Sequence, residues 1–269
     1  MDTIRAIIIG VAGRMGGRLL WALHETSNIH LAGAVERKDH PALGRDAGEV
    51  AGMERWEVPI VGDLRQAIDG SDVIIDFTNA ESSLKNLAIA AEKGKCAVIG
   101  STGFTPAQVE EAKALTKKIA CVLSPNMSVG VNVLFKTVSD LAKVLGDDFD
   151  VEVIEAHHRM KKDAPSGTAV KIGQILAQAL NRNFQEVGVY ERKGLIGERK
   201  KKEIGMQTIR AGDIVGEHTV IFGGIGERLE VTHRAHSRDN FARGAIRAAA
   251  WVVNQKPGLY DMQDVLGLK

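Results

Sequence analysis

The sequence predicts an α/β protein in which a doubly wound parallel sheet is followed by a smaller α+β domain. Three observations predict this fold class. Short apolar runs alternate with helical patterns over the first part of the chain, glycines directly follow the first apolar run, and the pattern changes after Pro125. The chain has 269 residues, a length typical of about two domains.

The first part of the chain alternates between strands and helices. Strands are predicted for the apolar runs at 4–10, 30–35, 59–61, 73–77, 97–100 and 120–123. Helices are predicted between them, where apolar residues have helical spacing, at 15–26, 64–68, 82–93 and 106–118. Strands that are apolar throughout are buried on both faces, which is typical of a parallel sheet covered by helices. Residues 41–56 have no clear period and are expected to form a loop or a short helical insert.

The pattern after Pro125 is typical of an α+β domain. Helices are predicted at 132–145 and 168–180, and strands at 149–156, 208–211, 218–222 and 229–232. Glycine turns separate the later strands, so we expect a mixed or antiparallel sheet. Residues 191–203 are rich in charged residues and glycine without a hydrophobic period, and they are expected to form a mobile excursion.

A last helix is predicted at 240–254, before Pro257. Its alanine-rich apolar face needs a partner surface, and we expect that partner to be the first domain. The first domain would then comprise residues 1–126 and 237–269, and the second domain residues 127–236.

Charge and composition exclude several functional classes. The 35 basic residues nearly balance the 34 acidic ones, for a net charge of +1. Nucleic-acid binders and proteins of acidic membrane surfaces usually carry a basic excess, so we expect no nucleic acid and no membrane as partners. No apolar run approaches the roughly 18–20 residues that a bilayer span requires.

The start of the chain and its cysteines point to the cytoplasm. The first apolar run leads into glycines rather than a cleavage site, which indicates a first strand and not a signal peptide. With only Cys96 and Cys121, neither a disulfide framework nor a four-thiolate zinc site is available.

Three glycines follow the first predicted strand and open a helix. Gly10, Gly13 and Gly16 allow a tight turn, and they let backbone N–H groups approach a pyrophosphate at the positive end of the helix. The spacing departs from the usual G-x-G-x-x-G, with Ala12 in the middle glycine position. The motif predicts a Rossmann-type nucleotide-binding domain, and a merely tight turn is the alternative.

Two charged residues at the end of the second predicted strand are candidates for binding the adenosine part of a nucleotide. Glu36 can accept hydrogen bonds from the adenosine ribose hydroxyls, and Arg37 can hold a 2′-phosphate. Their combination predicts that both NADH and NADPH are used. For Arg37 alone, a solvated surface charge is an equally good interpretation.

Polar or glycine-rich turns follow three later strands, at 76–78, 100–103 and 124–127. In an open α/β sheet, ligands bind beyond the carboxyl ends of the strands. These turns therefore predict a crevice for a nicotinamide ring, although each turn alone is also compatible with ordinary turn chemistry.

The segment 155–169 carries the most distinctive chemistry. His157 has the side chain that titrates nearest neutrality, which suits a proton donor. Lys161 offers a positive charge to a carboxylate, and the N–H groups of Gly167 and Thr168 form an anion site at a helix start. A pocket for a small carboxylated substrate beside a proton source is predicted, with a basic turn of solvated histidines as the alternative. A metal site is not expected, because no carboxylate or thiol partner lies at ligand spacing.

These motifs resemble the 4-hydroxy-tetrahydrodipicolinate reductase (dihydrodipicolinate reductase) family, from about residue 4 to the C-terminus. The matching stretches include GVAGRMG at 10–16, IDFT at 75–78, GSTG at 100–103, SPNMSVGVN at 124–132 and EAHHRMKKDAPSGTA at 155–169. The last stretch is very specific to the family, and the glycine turns are not. Ser101 and Ser124 are small departures that change no implied role.

The resemblance implies an NAD(P)H-dependent oxidoreductase of lysine and diaminopimelate biosynthesis, typically a homotetramer, that reduces a cyclic imine dicarboxylate. His157 would be the proton donor and Lys161 a second acid and charge anchor. The implied cofactor-binding residues are Gly10, Val11, Ala12, Gly13, Arg14, Met15, Glu36, Arg37, Gly100, Ser101, Thr102, Ser124, Pro125, Asn126 and Met127. The implied substrate-binding residues are His158, Gly167 and Thr168.

Two rival functions remain open from the residues alone. An amino-acid dehydrogenase could share the nucleotide domain, but it would not need the anion site at Gly167. A nucleotide-sensing or nucleic-acid-binding protein could use the basic stretch 192–202, but Glu191, Glu198 and Glu203 punctuate it. We therefore favour the reductase.

Overall fold

The computed structural model describes residues 3–269, and these form two compact units. The first unit comprises the chain up to Val129 together with Arg238–Lys269, and the second comprises Gly130–Ser237. Among the described residues, no helix is both long enough and apolar enough to cross a lipid bilayer.

The first unit is built on a seven-stranded parallel sheet with the strand order β12-β6-β5-β4-β1-β2-β3. Its strands are β1 Ile4–Ile9, β2 Ile29–Val35, β3 Ile60–Val61, β4 Val73–Asp76, β5 Cys96–Ile99, β6 Ala120–Leu123 and β12 Gly258–Tyr260. Its helices are α1 Arg14–His24, α2 Ala47–Val50, α3 Ala80–Glu92, α4 Pro106–Leu115, α8 Asp239–Val252 and α9 Met262–Leu266.

The central strands are apolar throughout because helices cover both faces of this sheet. In β1, Ile8 points into one apolar layer and Ile7 into the other, and both are fully buried. The layer around Ile8 includes residues of α1 and α8, whereas the layer around Ile7 includes residues of α3 and α4. Each fully buried aliphatic side chain of this kind contributes about 1.5–3 kcal/mol.

Helix α8 packs against α1 and against strands β4, β5 and β6. Small side chains make the close approach possible, and Ala245 and Ala249 are fully buried. At Gly244, a Cβ atom would overlap the carbonyl oxygen of Met127. The carboxyl end of the helix leads to β12, which pairs in parallel with β6.

The second unit is a five-stranded mixed sheet with the order β11-β10-β7-β9-β8. Its strands are β7 Asp150–His157, β8 Gly188–Val189, β9 Ile204–Arg210, β10 Gly216–Gly223 and β11 Arg228–Ala235. Its helices are α5 Val129–Leu145, α6 Gly167–Ala179 and α7 Phe184–Val187. Strand β7 pairs in parallel with β9 and antiparallel with β10. Its alternating pattern buries Val151 and Val153 in the apolar cluster that includes α5 and α6.

The predicted fold class is confirmed, with local corrections. The segment predicted as a helix at 64–68 forms two short 3₁₀ turns, Leu64–Gln66 and Ile68–Gly70. Strand β9 begins four residues before the predicted 208, because Ile204 and Met206 are buried directly after the charged segment. Strands β8 and β12 and helices α7 and α9 were not predicted from the sequence.

The segment 191–203, expected to be a mobile excursion, is anchored to strand β7. The Arg192 guanidinium donates to both carboxylate oxygens of Glu152, at 2.8 and 2.9 Å. The Arg199 Nε also donates to Glu152, at 3.0 Å, while its Nη1 reaches Asp150 at 2.6 Å. The absence of a hydrophobic period reflects anchoring by charge pairs in place of apolar contacts.

Candidate active site

The glycine turn joins the ends of β1 and β2. The N–H groups of Gly10 and Val11 both donate to the carbonyl oxygen of Val35, at 2.9 and 3.2 Å. Gly10 has φ +73°, a conformation that other residues rarely adopt. At Gly16, a Cβ atom would overlap the carbonyl oxygens of Val11 and Gly10, so a glycine is needed where the helix approaches the strand end.

The turn leaves the start of helix α1 open to an anion. The residue before the helix is Gly13, which has no side chain to cap the first N–H groups. These groups and the helix dipole can therefore receive a phosphate.

Glu36 and Arg37 follow β2 beside this turn. The Glu36 carboxylate accepts hydrogen bonds from the N–H of Ala12, at 3.1 Å, and of Arg37, at 2.9 Å. The Arg37 side chain is 70% exposed, and its Nε lies 3.2 Å from Asp39 Oδ1. The acidic residue is thus held against the glycine turn, whereas the guanidinium is paired with Asp39 and lies mostly in solvent.

A cleft of about 750 Å³ opens along the glycine turn within the first unit. Its lining includes Gly10, Gly13, Arg14, Met15, Glu36, Arg37, Lys38, Thr78, Asn79 and Lys85. Basic side chains and an open helix start suit a dinucleotide with its phosphates, so the residues present fit this cofactor.

The three turns at the carboxyl ends of β4, β5 and β6 are stabilised by short polar contacts. The Asp76 carboxylate accepts from Thr78 Oγ1 at 2.6 Å and from Asn86 Nδ2 at 2.7 Å. The Ser101 and Ser83 hydroxyls lie 2.7 Å apart, and the Ser124 hydroxyl donates to the carbonyl oxygen of Asn126 at 3.0 Å.

These turns converge on two neighbouring cavities of the first unit. The first, of about 280 Å³, is lined by Arg14, Met15, Phe77, Gly100, Pro125, Asn126, Met127, Arg238 and Phe241. The second, of about 410 Å³, has a lining that includes Ser101, Thr102, Pro125, Tyr260 and Lys269. The first cavity thus brings Gly100, Pro125, Asn126 and Met127 together with Met15 of the glycine turn. The predicted residues Ser101 and Thr102 line the second cavity instead, and Ser124 lines neither.

A second polar cluster lies at the end of β7 in the second unit. Glu155 and His157 alternate with Ala156 and so share one face of the strand. Glu155 is 1% exposed, and its carboxylate lies 2.6 Å from His157 Nδ1. The carboxylate also receives both Arg210 Nη atoms, at 2.8 Å each, and the Ser166 N–H at 3.0 Å.

Charge and burial act in opposite directions on the two members of this pair. Burial favours the neutral form of Glu155, but hydrogen bonds from Arg210, His157 and Ser166 outweigh it and hold the pKa of this carboxyl below its usual range. For His157, burial prevails over the attraction of Glu155 and lowers the pKa of the imidazole.

Ser166 and His218 complete the cluster. The Ser166 hydroxyl caps helix α6 by accepting from the Ala169 N–H at 3.1 Å, and it lies 3.1 Å from His218 Nε2. Burial lowers the pKa of His218 to about 3, so this ring is neutral at physiological pH. The rings of His157 and His218 have their centroids 5.3 Å apart.

The other predicted residues of this region lie at the start of α6 or in the segment between β7 and α6. Gly167 and Thr168 are the first two residues of the helix. Lys161 Nζ donates to both carboxylate oxygens of Asp163, at 2.9 and 2.8 Å. The Nδ1 atom of His158 is buried and has no hydrogen-bond partner within residues 3–269. Residues 3–269 also contain no group of three or more His, Cys, Asp or Glu side chains arranged to hold a metal ion.

Comparisons with known proteins identify the family. The family model for the N-terminus of dihydrodipicolinate reductase matches residues 4–127, and the model for its C-terminus matches residues 130–266. The chain belongs to the dihydrodipicolinate reductase family.

Individual relatives agree with this assignment. The chain is 59% identical over 266 residues to the 4-hydroxy-tetrahydrodipicolinate reductases of Syntrophus aciditrophicus (strain SB) and Geotalea uraniireducens (strain Rf4). The alignments cover 99% of this chain and 99% and 100% of the two relatives. A dipicolinate-bound dihydrodipicolinate reductase from Paenisporosarcina sp. TG-14 has 25% identity and a TM-score of 0.77, with 97% of this chain and 98% of that chain covered.

The comparisons confirm the predicted family, the oxidoreductase class and a pyridine nucleotide cofactor. The individual site residues remain predictions. Glu155, Arg210, Ser166 and His218 were not among the predicted site residues. Glu155 could have been found from strand alternation, since it lies two positions before His157. Arg210 and His218 carry no such local signal, because strand pairing alone brings them beside β7.

Proposed function

We propose that the protein is a cytoplasmic enzyme that reduces 4-hydroxy-tetrahydrodipicolinate to tetrahydrodipicolinate with NADH or NADPH, in lysine and diaminopimelate biosynthesis. One observation carries the proposal. A buried Glu155–His157 pair lies beside the amino end of helix α6, within a chain that is 59% identical over nearly its full length to reductases of that name. A proton donor next to an anion site suits the reduction of a carboxylated imine.

The residues of the glycine turn would hold the cofactor. The N–H groups at the start of α1 would bind the pyrophosphate, Glu36 would bind the adenosine ribose, and Arg37 would bind a 2′-phosphate. The residues around 100–102 and 124–127 would line the nicotinamide. When bound, the dihydronicotinamide ring supplies a hydride to the substrate.

The second unit would bind the substrate and provide the proton. The N–H groups of Gly167 and Thr168, together with His158 and Lys161, would hold the two carboxylates. Hydride addition to a conjugated imine pushes an electron pair onto a neighbouring ring atom. His157 would protonate that atom, and Lys161 would assist by stabilising charge.

The direct test is oxidation of NADPH with substrate generated enzymatically in the same cuvette. The absorbance of the reduced cofactor should fall only when both the substrate-generating enzyme and this protein are present. The matched control replaces the substrate with amino acids and the cofactor with NAD⁺. Turnover in that control, without NADPH oxidation in the first assay, would favour an amino-acid dehydrogenase.

Replacing Arg37 by alanine should weaken NADPH binding by about 1–3 kcal/mol, because a charged hydrogen bond to the 2′-phosphate is lost. NADH has no phosphate at this position and serves as the internal control in the same variant. Fluorescence titration with both reduced cofactors measures the difference. Equal losses for the two cofactors would remove Arg37 from the phosphate-binding role.

We also propose that the protein is a homotetramer. The sheet face of the second unit that lies opposite the helix-covered face carries Ile154, Ile209 and Ile221, and Ile209 is 46% exposed. These isoleucines share the face with polar residues such as Gln207 and Glu217, and a mixed face of this kind suits contact with another copy of the chain. Sedimentation analysis should give a mass four times that of the 29.0 kDa chain, and a purely monomeric protein would contradict the proposal.

A further inference from the structure

Two opposite charges, those of Glu155 and Arg210, lie next to His157 on the sheet of the second unit. Arg210 faces His157 across the β7–β9 pairing, and its guanidinium binds both carboxylate oxygens of Glu155. Arg210 is itself held by the carbonyl oxygen of Asp163 at 2.7 Å. The imidazole therefore contacts a carboxylate directly, while the matching positive charge lies one contact further away.

Two other side chains beside this pair, His218 and Lys161, bear on the charge state of His157. His218, from β10, lies beside the ring but is neutral at physiological pH. Lys161, from the turn after β7, repels a protonated imidazole, although its charge is paired with Asp163. Glu155 is the only described group among these that favours the protonated ring, and both Lys161 and Arg210 oppose it, Lys161 more strongly than Arg210.

The hydrogen bonds of Glu155 determine which nitrogen of His157 carries which proton. An ionised carboxylate is an acceptor only, and Arg210 and the Ser166 N–H keep Glu155 ionised. The Nδ1 atom of His157 must therefore carry the hydrogen of the 2.6 Å contact. Titration then adds or removes the proton at Nε2.

Gly216 leaves space at that second nitrogen. It directly precedes Glu217, which pairs with Ala156, and a Cβ atom at Gly216 would lie 3.1 Å from Nε2 of His157. A side chain at 216 would crowd the edge of the ring that bears the titrating proton. The arrangement thus holds Nδ1 against Glu155 and places a residue without a side chain beside Nε2.

We propose that Glu155 and Arg210 act together as positioning residues that direct the transferable proton of His157 to Nε2 and adjust how readily it leaves. This inference rests on the proposed acid role of His157. The Nε2–H bond breaks with its electron pair remaining on the ring nitrogen, and a new C–H bond forms at the substrate atom that gained electrons from the hydride. Solvent then restores the proton at Nε2.

The two charges have opposite effects on this proton. Glu155 stabilises the imidazolium, so without it less of the enzyme would carry the proton at neutral pH. Arg210 offsets part of that attraction, so without it the proton would be held more tightly. Because burial lowers the pKa of His157, the attraction of Glu155 keeps more of the enzyme protonated at Nε2, while Arg210 helps that proton to leave. A general acid is most effective when its pKa lies near the working pH.

The test is a comparison of two single variants with opposite expected shifts. Glu155→Gln keeps the side-chain shape and removes the negative charge, so the pKa of His157 should fall by about 1–3 pH units. Arg210→Met removes the positive charge, while the Ser166 N–H and the His157 Nδ1–H still favour the ionised form of Glu155, so the pKa of His157 should rise. NMR titration of the imidazole measures both values, with the His157 signal identified by its loss in His157→Gln. The alkaline limb of the kcat profile should move in the same two directions.

Two further variants control for structural effects. Thr208→Val removes a neutral contact to the same carboxylate, which lies 3.3 Å from the Thr208 hydroxyl, and should leave the pKa of His157 unchanged. The double variant Glu155→Gln/Arg210→Met has no unpaired buried charge, and its pKa should lie above that of Glu155→Gln alone. If Arg210→Met does not fold, the difference in the pKa of His157 between the double variant and Glu155→Gln alone measures the effect of Arg210.

The outcomes separate the inference from the proposed function. Shifts of His157 in the same direction, or no shift in either charge variant, would overturn the positioning role even if His157→Gln is inactive. Opposite shifts in the NMR titration with normal kcat in His157→Gln would instead reject the acid role. Opposite shifts in both the titration and the kcat profile would support both.

Discussion

Replacing His157 by glutamine should lower kcat by about 10²- to 10⁴-fold, the usual share of general acid catalysis, with a smaller effect on KM. Glutamine retains a hydrogen-bonding side chain of similar reach but cannot deliver a proton at neutral pH. The side chain is 12% exposed and is bound at Nδ1 by a fixed carboxylate, so its geometry is well defined before substrate arrives. Steady-state kinetics with enzymatically generated substrate measure the loss.

Lys161→Ala provides the contrast for this prediction. It should lower kcat and also raise KM, because the ammonium would both hold a carboxylate and stabilise charge. NADH binding, measured by titration, should survive both changes, since neither residue belongs to the nucleotide turns. A His157→Gln enzyme with near-normal kcat would remove this residue from the acid role.

Replacing Gly16 by alanine should destabilise the protein by at least about 3 kcal/mol, the upper end of the usual cost of overpacking. The added methyl group would overlap the backbone oxygens of Val11 and Gly10, which cannot rotate away as a side chain can. To remove this overlap, helix α1 must move away from the end of β1, and that movement would also distort the phosphate-binding site. Urea unfolding measures the free energy, and NADH titration should show weakened binding.

Gly17→Ala is the matched control one position along the same helix. A Cβ atom there meets no other atom within 4 Å. Alanine should therefore stabilise the helix by roughly 0.5–1 kcal/mol, through the lower conformational entropy of the unfolded chain. Similar unfolding free energies for the two variants would show that the close approach at Gly16 has no energetic importance.

The sequence was sufficient for those features whose signal is local. The glycine turn is a run of neighbouring residues between a strand and a helix, so its fold and its position at the sheet edge could be predicted together. Glu36 could be predicted because it directly follows an apolar strand of the same unit. The carboxyl ends of parallel strands meet at one edge, which is why three separate turns could be predicted to line the same crevice.

Features that depend on strand pairing could not be predicted in this way. Arg210 meets Glu155 only because β9 pairs with β7 in one particular register, and a shift by one residue would turn its side chain to the other face. The anchoring of 191–203 was missed for a related reason. Hydrophobic periodicity detects apolar contacts, whereas Arg192 and Arg199 are held by the charge of Glu152.

The return of helix α8 to the first sheet has a consequence for the order in which the chain folds during synthesis. The ribosome releases β1 to β6 early, but the residues of α8 and β12 emerge only after the whole of Gly130–Ser237. Until then, one face of β4, β5 and β6 lacks its covering helix. The second unit, continuous in sequence, can therefore complete its core first. The nascent first unit must meanwhile keep an apolar surface from aggregating, which makes it the part of the chain that benefits most from a chaperone.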